Sequence, residues 1–158
     1  AFDSAEVIYL GRAGVPTVVV RLRLTNHHDR LLTVIATHPP PPKGEFHSAR
    51  RNNQLQALAQ FVRQQHDAVL LCGDFNLSPW SPFFFDLLQE SGLADSGRGF
   101  GIQPTWPAEH YLLRTPIDHC LVSPQIAVHR RRLGPRMGSD HLPVILDFSL
   151  LPIPVVQK

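Results

Sequence analysis

Residues Ala68-Val69-Leu70-Leu71-Cys72 are apolar without a break and give way at once to Gly73-Asp74-Phe75-Asn76. A short apolar run with no polar side, ending at a glycine, predicts a strand buried on both faces. Such a strand needs a layer above and a layer below it. Val18, Val20, Leu22 and Leu24 alternate with Arg21 and Arg23 in Val15–Leu24, the period of a strand with one face in water. Leu31–Thr37 follows after the turn-like Asn26–Arg30, which suggests a hairpin. Further strands are expected at Ile117–Val122, Ile126–Leu133 and Pro143–Leu150.

Two helices interrupt them. Leu55, Leu58, Ala59 and Val62 fall at i, i+3, i+4 and i+7, one stripe of an amphipathic helix spanning about Phe46 to Gln65. The second opens with Ser81 as N-cap and Pro82 at the first helical position, and Gly92 can close it. Its stripe is Phe84, Leu87 and Leu88. Pro39–Pro42 is a polyproline-type connector, unfit for helix or central strand. The class expected is α/β, a layered β-sandwich rather than a regular βαβ series.

Length and composition narrow the functions open to this chain. Its 158 residues fit one domain, and 43% hydrophobic with 18% charged residues is ordinary globular composition. A formal charge of +2 supplies no strong field for nucleic acid or a membrane surface. Of the 15 basic residues only Lys43 and Lys158 are lysines; Arg pairs bidentately with phosphate, though genomic bias also enriches it. Cys72 and Cys120 sit in apolar runs without a CxxC spacing, so neither a disulfide nor a zinc site is expected. No run reaches the ~18 apolar residues of a membrane span, and the N-terminus lacks a signal-peptide layout. Strand-like residues start almost at Ala1, as if the chain were cut from something longer.

Chemistry concentrates at strand ends. Asp74 and Asn76 lie two apart after a buried strand and point to one side of an extended segment. A carboxylate there can hold a metal ion or orient water, and an amide can donate to a phosphoryl oxygen; the same two residues also suit a simple turn. Gly138-Ser139-Asp140-His141 precedes another apolar strand and places a hard ligand beside a proton carrier, or merely a surface ion pair. In Ile117-Asp118-His119, Asp118 near a strand start needs a partner if buried, and a histidine from another strand is the natural one. His119 faces the other way and is expected to pack or meet solvent. His38 ends a strand ahead of the proline connector, a position where a histidine is catalytic or structural.

In order along the chain, Thr37-His38, Arg51-x-x-Gln54, Gly73-Asp74-Phe75-Asn76, Ile117-Asp118-His119 and Ser139-Asp140-His141 resemble the endonuclease/exonuclease/phosphatase superfamily. That group includes pancreatic-type deoxyribonucleases, abasic-site endonucleases, neutral sphingomyelinases, inositol polyphosphate phosphatases and deadenylases. The resemblance implies a four-layer αββα sandwich when complete, and hydrolysis of a phosphodiester or phosphomonoester by activated water. It implies His141 as general base or phosphate-contacting imidazole, oriented by Asp118. Asp74 would position the nucleophilic water or help bind metal, Asn76 would bind phosphoryl oxygens, and His38 would contact phosphate as in the deoxyribonuclease and sphingomyelinase branches. Asp140, with Asp74, would belong to a site for Mg²⁺ or Mn²⁺. Arg51 and Gln54 would give supporting contacts from the first helix.

The departures set further expectations. Sandwiches of this kind run to about 200–250 residues as one domain, and in the family an Asn and a metal-binding Glu arrive before the region matched here. The chain is therefore expected to be roughly the C-terminal half of a domain, with its principal Glu ligand upstream and little activity alone. An exposed apolar sheet face would then favour self-association as a homodimer. The substrate (nucleic acid, phospholipid or small molecule) and the location of the parent stay open. His38-Pro39-Pro40-Pro41-Pro42 disfavours the abasic-site branch and resembles small bacterial members, some tethered to membranes by upstream segments. Trp106, Tyr111 and Arg114 either stack on substrate or pack locally. The rival to a hydrolase is a non-catalytic binding or scaffold domain that keeps the sandwich. An ester or amide hydrolase finds no Ser or Cys nucleophile elbow to support it.

Overall fold

The computed structural model describes residues 1–25 and 29–152, so most of the expected Asn26–Arg30 turn lies outside the described residues. The elements in chain order are β1 (Phe2–Tyr9), β2 (Pro16–Leu24), β3 (Arg30–Thr37), α1 (Gly44–Arg63), β4 (Ala68–Asp74), α2 (Pro82–Ser91), β5 (Ala94–Asp95), β6 (Asp118–Val122), β7 (Ile126–Leu133) and β8 (Val144–Leu150). One sheet runs β1-β2-β3-β4-β6-β5, and β7-β8 form a separate two-stranded sheet. Only β3 and β4 pair in parallel within the large sheet. Parallel neighbours need a crossover. Pro39–Pro42 carries the chain off the sheet, and α1 supplies the return.

Helices α1 and α2 pack side by side on one face of the large sheet, and the β7–β8 hairpin packs on the other. This chain is thus α/β in three layers, the sandwich class expected. β4 is covered on both faces, as its uninterrupted apolar run demands. Val69 and Leu71 face the helices with Val19, Ile35, Leu121, Leu55 and Leu58. Ala68 and Leu70 face the hairpin with Leu32, Val122, Ile126 and Leu150. Helix α2 begins at Pro82, and Gly92 closes it in the left-handed region at φ 75° with its N–H donating to Leu88 O. Phe84 and Leu87 are buried.

The wet face expected for β2 is not found. Val19 lies in register with Ile35, Leu71 and Leu121, a row crossing four strands beneath the helices. Its neighbour on that face, Arg21, sits at the end of α1, ion-paired to Glu6 at 2.8 Å. An arginine stem covers apolar surface while its head reaches water, so polarity in the sequence did not mark solvent. Leu22 and Leu24, on the other face, pack into the core beneath the hairpin.

The hairpin is too narrow to cover β1 and the first half of β2. Val7 (56% exposed) and Val18 (40%) are directly paired on its side of the sheet, and Tyr9 and Phe2 are also exposed.

Leu121 is fully buried in the row under the helices. Leu121→Ala is expected to lower stability by roughly 3 kcal/mol, seen as a lower urea midpoint with an unchanged denaturant slope.

Candidate active site

Topology explains why the chemical residues meet. β3 and β4 run parallel, so their C-terminal ends share one rim of the sheet. β6 runs antiparallel to β4, so its first residue, Asp118, lies opposite Asp74, the last residue of β4. The loop ahead of β8 brings His141 over the same rim. Cys72, Gly73, Asp74, Asp118 and His141 line a cavity of about 300 Å³ there.

His141 stands between two carboxylates. Its Nδ1 is 2.8 Å from Asp118 Oδ2, and its Nε2 is 3.8 Å from Asp74 Oδ2. A carboxylate on Nδ1 fixes the tautomer and ring orientation and stabilises the imidazolium, leaving Nε2 for the reacting group. On the other side of Asp74, His38 Nε2 lies 3.3 Å from the same Oδ2. Asp74 is only 13% exposed and His38 67%, so the carboxylate is enclosed while that imidazole faces solvent. Burial pushes the Asp74 carboxyl up; the Asn76 N–H and the two imidazoles oppose this less strongly, while the nearby Asp118 charge adds to it.

The turn expected at Asp74 and Asn76 is formed, and it uses only one oxygen of the carboxylate. Asp74 Oδ1 accepts from the Asn76 N–H at 2.8 Å, closing a turn, while Oδ2 faces the histidines. Asn76 sits at φ 50°, a region Asn tolerates better than most residues. Its Nδ2 donates to Pro39 O at 3.0 Å, which uses one of its two amide hydrogens. Asp140 stands apart from this group. Its Oδ2 accepts from Trp106 Nε1 at 3.2 Å, and the Trp106 ring lies beside His141, 6.3 Å between centroids.

Buried polar side chains behind the rim fix these positions. Arg51 donates to Asn76 O at 2.8 Å, and Gln54, one helical turn later, donates to Thr37 Oγ1 at 3.1 Å, next to His38. Burial lowers the Arg51 pKa. His119 packs inward, fully buried against the Phe75 and Phe84 rings, with Nε2 2.7 Å from Leu77 O. Burial holds it below the ordinary imidazole range.

Gly73 was part of the motif read from the sequence, whereas Thr105 and Arg131 were not singled out as site residues. Gly73 is required by close approach: a Cβ there would lie 1.9 Å from Thr37 O. Thr105 is fully buried, and its Oγ1 accepts from the N–H groups of Ile117 and Asp118 at 3.4 Å, while its carbonyl accepts from Leu142 N–H at 2.9 Å. It therefore ties the Asp118 strand to the His141 loop. Arg131, inside the sandwich, donates to Asp118 O at 3.3 Å. Arg130 and Arg132 point to solvent, and Arg114 stacks locally on Tyr111, 5.3 Å from the ring centroid.

Among the described residues no three His, Cys, Asp or Glu side chains converge as a metal cage. Mg²⁺ is commonly held by one or two carboxylates and several waters. The oxygens of Asp74 and Asp140 suit that ion in kind, but in number they fall short of a closed site.

The family's sequence profile matches residues 2–141, nearly the whole described chain and all of the rim. The chain belongs to the endonuclease/exonuclease/phosphatase family. Members of that family hydrolyse phosphate-ester bonds. Among solved structures the catalytic domain of human Nocturnin with bound sulfate is similar at 20% identity and TM-score 0.76, over 96% of this chain and 60% of that one. A family member from Beutenbergia cavernae is similar at 22% identity and TM-score 0.78, over 95% of this chain and 45% of that one. TDP2 of D. rerio, complexed with a single-strand DNA product, is similar at 17% identity and TM-score 0.74, over 94% of this chain and 68% of that one. The chain thus spans about half to two thirds of these relatives, and at such identities they speak for the shared fold. A search of curated proteins finds no match.

Gly73→Ala is expected to push β4 away from Thr37 and displace His38, costing on the order of 3 kcal/mol as a strained close-packed substitution. Thermal unfolding and the His38 imidazole NMR signals would report it; an unchanged spectrum would contradict the contact. Asp74 also has a stability signature. Its folded-state pKa is raised, so the proton binds the folded state more tightly. The resulting stabilisation is full below the ordinary carboxylate pKa and is lost as pH rises through the folded value. Asp74→Asn is therefore expected to raise the unfolding temperature at neutral pH, with the gain shrinking in acid.

Proposed function

We propose that this chain carries the proton-handling and phosphate-binding part of a metal-dependent hydrolase that cleaves a phosphodiester or phosphomonoester with activated water. One observation carries the reading: His141 is held by Asp118 through Nδ1 and turns Nε2 toward Asp74 across a cavity at the sheet rim. In the proposed mechanism Asp74 Oδ2 orients the attacking water, and His141 Nε2 either takes its proton or donates to a phosphoryl oxygen. Asp118 stabilises the charge on the ring throughout. His38 and the free amide hydrogen of Asn76 donate to the remaining oxygens, where charge builds in the transition state.

Mg²⁺ or Mn²⁺ is part of this proposal. Asp140, with Asp74, would offer it carboxylate oxygens, and a principal Glu and waters would complete its shell. Such an ion supplies Lewis-acid stabilisation of the phosphoryl oxygens. This chain alone is then expected to turn over slowly. The sheet face around Val7, Tyr9 and Val18 is proposed as the surface through which copies of this chain pair. Dimers in sedimentation at high concentration would agree with that, and a monomer throughout would refute it.

The activity test uses a bis-aryl phosphodiester, DNA and a phospholipid, with Mg²⁺ titrated, on this chain and on any longer protein containing it. Asp74→Asn and His141→Ala are expected to lower kcat about 10²–10⁴-fold with the far-ultraviolet spectrum unchanged. Equal turnover in variants and wild type would sink the site assignment. Absence of metal-dependent turnover in every form would favour the rival, a binding or scaffold domain.

A further inference from the structure

Cys72 and Cys120 are direct partners across β4 and β6, with their sulfurs 3.0 Å apart and both thiols free. The hydrogen bonds around them show which kind of pair this is. Ser123 N–H donates to Val69 O, and Phe75 N–H donates to Ile117 O. Both of these bonds belong to the set of residues that alternates with Cys72 and Cys120. The cysteines therefore occupy a non-hydrogen-bonded position of the antiparallel ladder, where facing Cα atoms approach to about 4.5 Å. That separation lies within the range a disulfide spans, and the side chains already point at each other. The pair is reachable, because both cysteines line the cavity at the rim. Asp74 and Asp118 form the next pair of the same kind, two residues along each strand, so the thiols lie on the floor of the site about 7 Å below the carboxylates.

We propose that Cys72 and Cys120 are a redox-modification site, a dithiol that closes reversibly to a cross-strand disulfide with small-molecule disulfides such as glutathione disulfide. One thiolate attacks the small disulfide, forming a mixed disulfide and releasing one thiol. The second thiolate attacks the protein sulfur of that mixed disulfide and expels the other small thiol. Two electrons pass from the cysteine pair to the small disulfide, and the two thiol protons leave on the two small thiols. This site stands on the strand register and does not depend on the hydrolase reading. Exposed Tyr111, Leu112 and Leu113 and the groove between α1 and α2 hold no comparable pair of reactive groups.

The native chain is incubated with glutathione disulfide, quenched in acid, and examined by intact mass and by peptide mapping. The expected product is 2 Da lighter, monomeric, carries a Cys72–Cys120 cross-link, loses both titratable thiols, and returns to the starting mass with dithiothreitol. Cys72→Ser and Cys120→Ser each are expected to stop at a mixed disulfide or stay unmodified. Wild type that retains two thiols, stops at a stable glutathione adduct, or forms only intermolecular disulfides would overturn the proposal. A cross-link that appears only after unfolding in guanidinium would do the same, since it would not come from the native register.

Discussion

The parallel pairing of β3 with β4 is the constraint on which the rim depends. Had these strands met antiparallel, His38 and Asp74 would lie at opposite ends of the sheet. Parallel pairing obliges the chain to leave the sheet and return over one face, which α1 does across the row Val19, Ile35, Leu71 and Leu121. The helix that closes the crossover also reaches the site. Arg51 and Gln54 lie on its buried side, one holding the carbonyl of Asn76 and the other the hydroxyl beside His38. Core packing and site geometry are thus one structural problem, and the approach of Gly73 to the Thr37 carbonyl shows how little slack it leaves.

Much of this was legible in the sequence because it follows from local periodicity. The buried run Ala68–Cys72, the stripe on α1 and the Ser81-Pro82…Gly92 signals of α2 each correspond to an element near the expected bounds. The partner for Asp118 was legible for a different reason: a half-buried carboxylate needs compensation, and His141 provides it. What periodicity cannot carry is which layer covers a face. Arg21 and Arg23 made one face of β2 look wet, yet that face lies on the helix side, because arginine stems pack while their charges find Glu6 and Asp3. β5, two residues long, is defined only by its pairing with β6.

Contacts between distant segments were illegible for the same reason. Thr105 matters through bonds to Asp118 and Leu142, and nothing around it in the sequence marks it. Cys72 and Cys120 showed no spacing suggestive of a pair, since their proximity is a property of the β4–β6 register. A single residue of slip between those strands would separate the thiols and also carry Asp118 away from Asp74.

That shared register links the electrostatics of the site to its stability. Asp74 and Asp118 face each other at adjacent strand ends, an unfavourable placement for two carboxylates, and burial worsens it for Asp74. His141 is inserted between them, and His38 on the outer side turns its Nε2 toward Asp74. Below them the ladder is apolar or thiol-bearing, and the buried Arg131 guanidinium, which donates to the Asp118 carbonyl, is the fixed cation beside it. Asp74 therefore holds a proton more tightly than the same carboxyl in water would. The phosphate ester proposed to enter the cavity would bring negative charge beside these carboxylates, and the ring N–H groups there would have to offset it. A proton on Asp74, which burial already favours, would remove part of that repulsion, so protonation of Asp74 and binding of the phosphate are expected to be coupled, each strengthening the other.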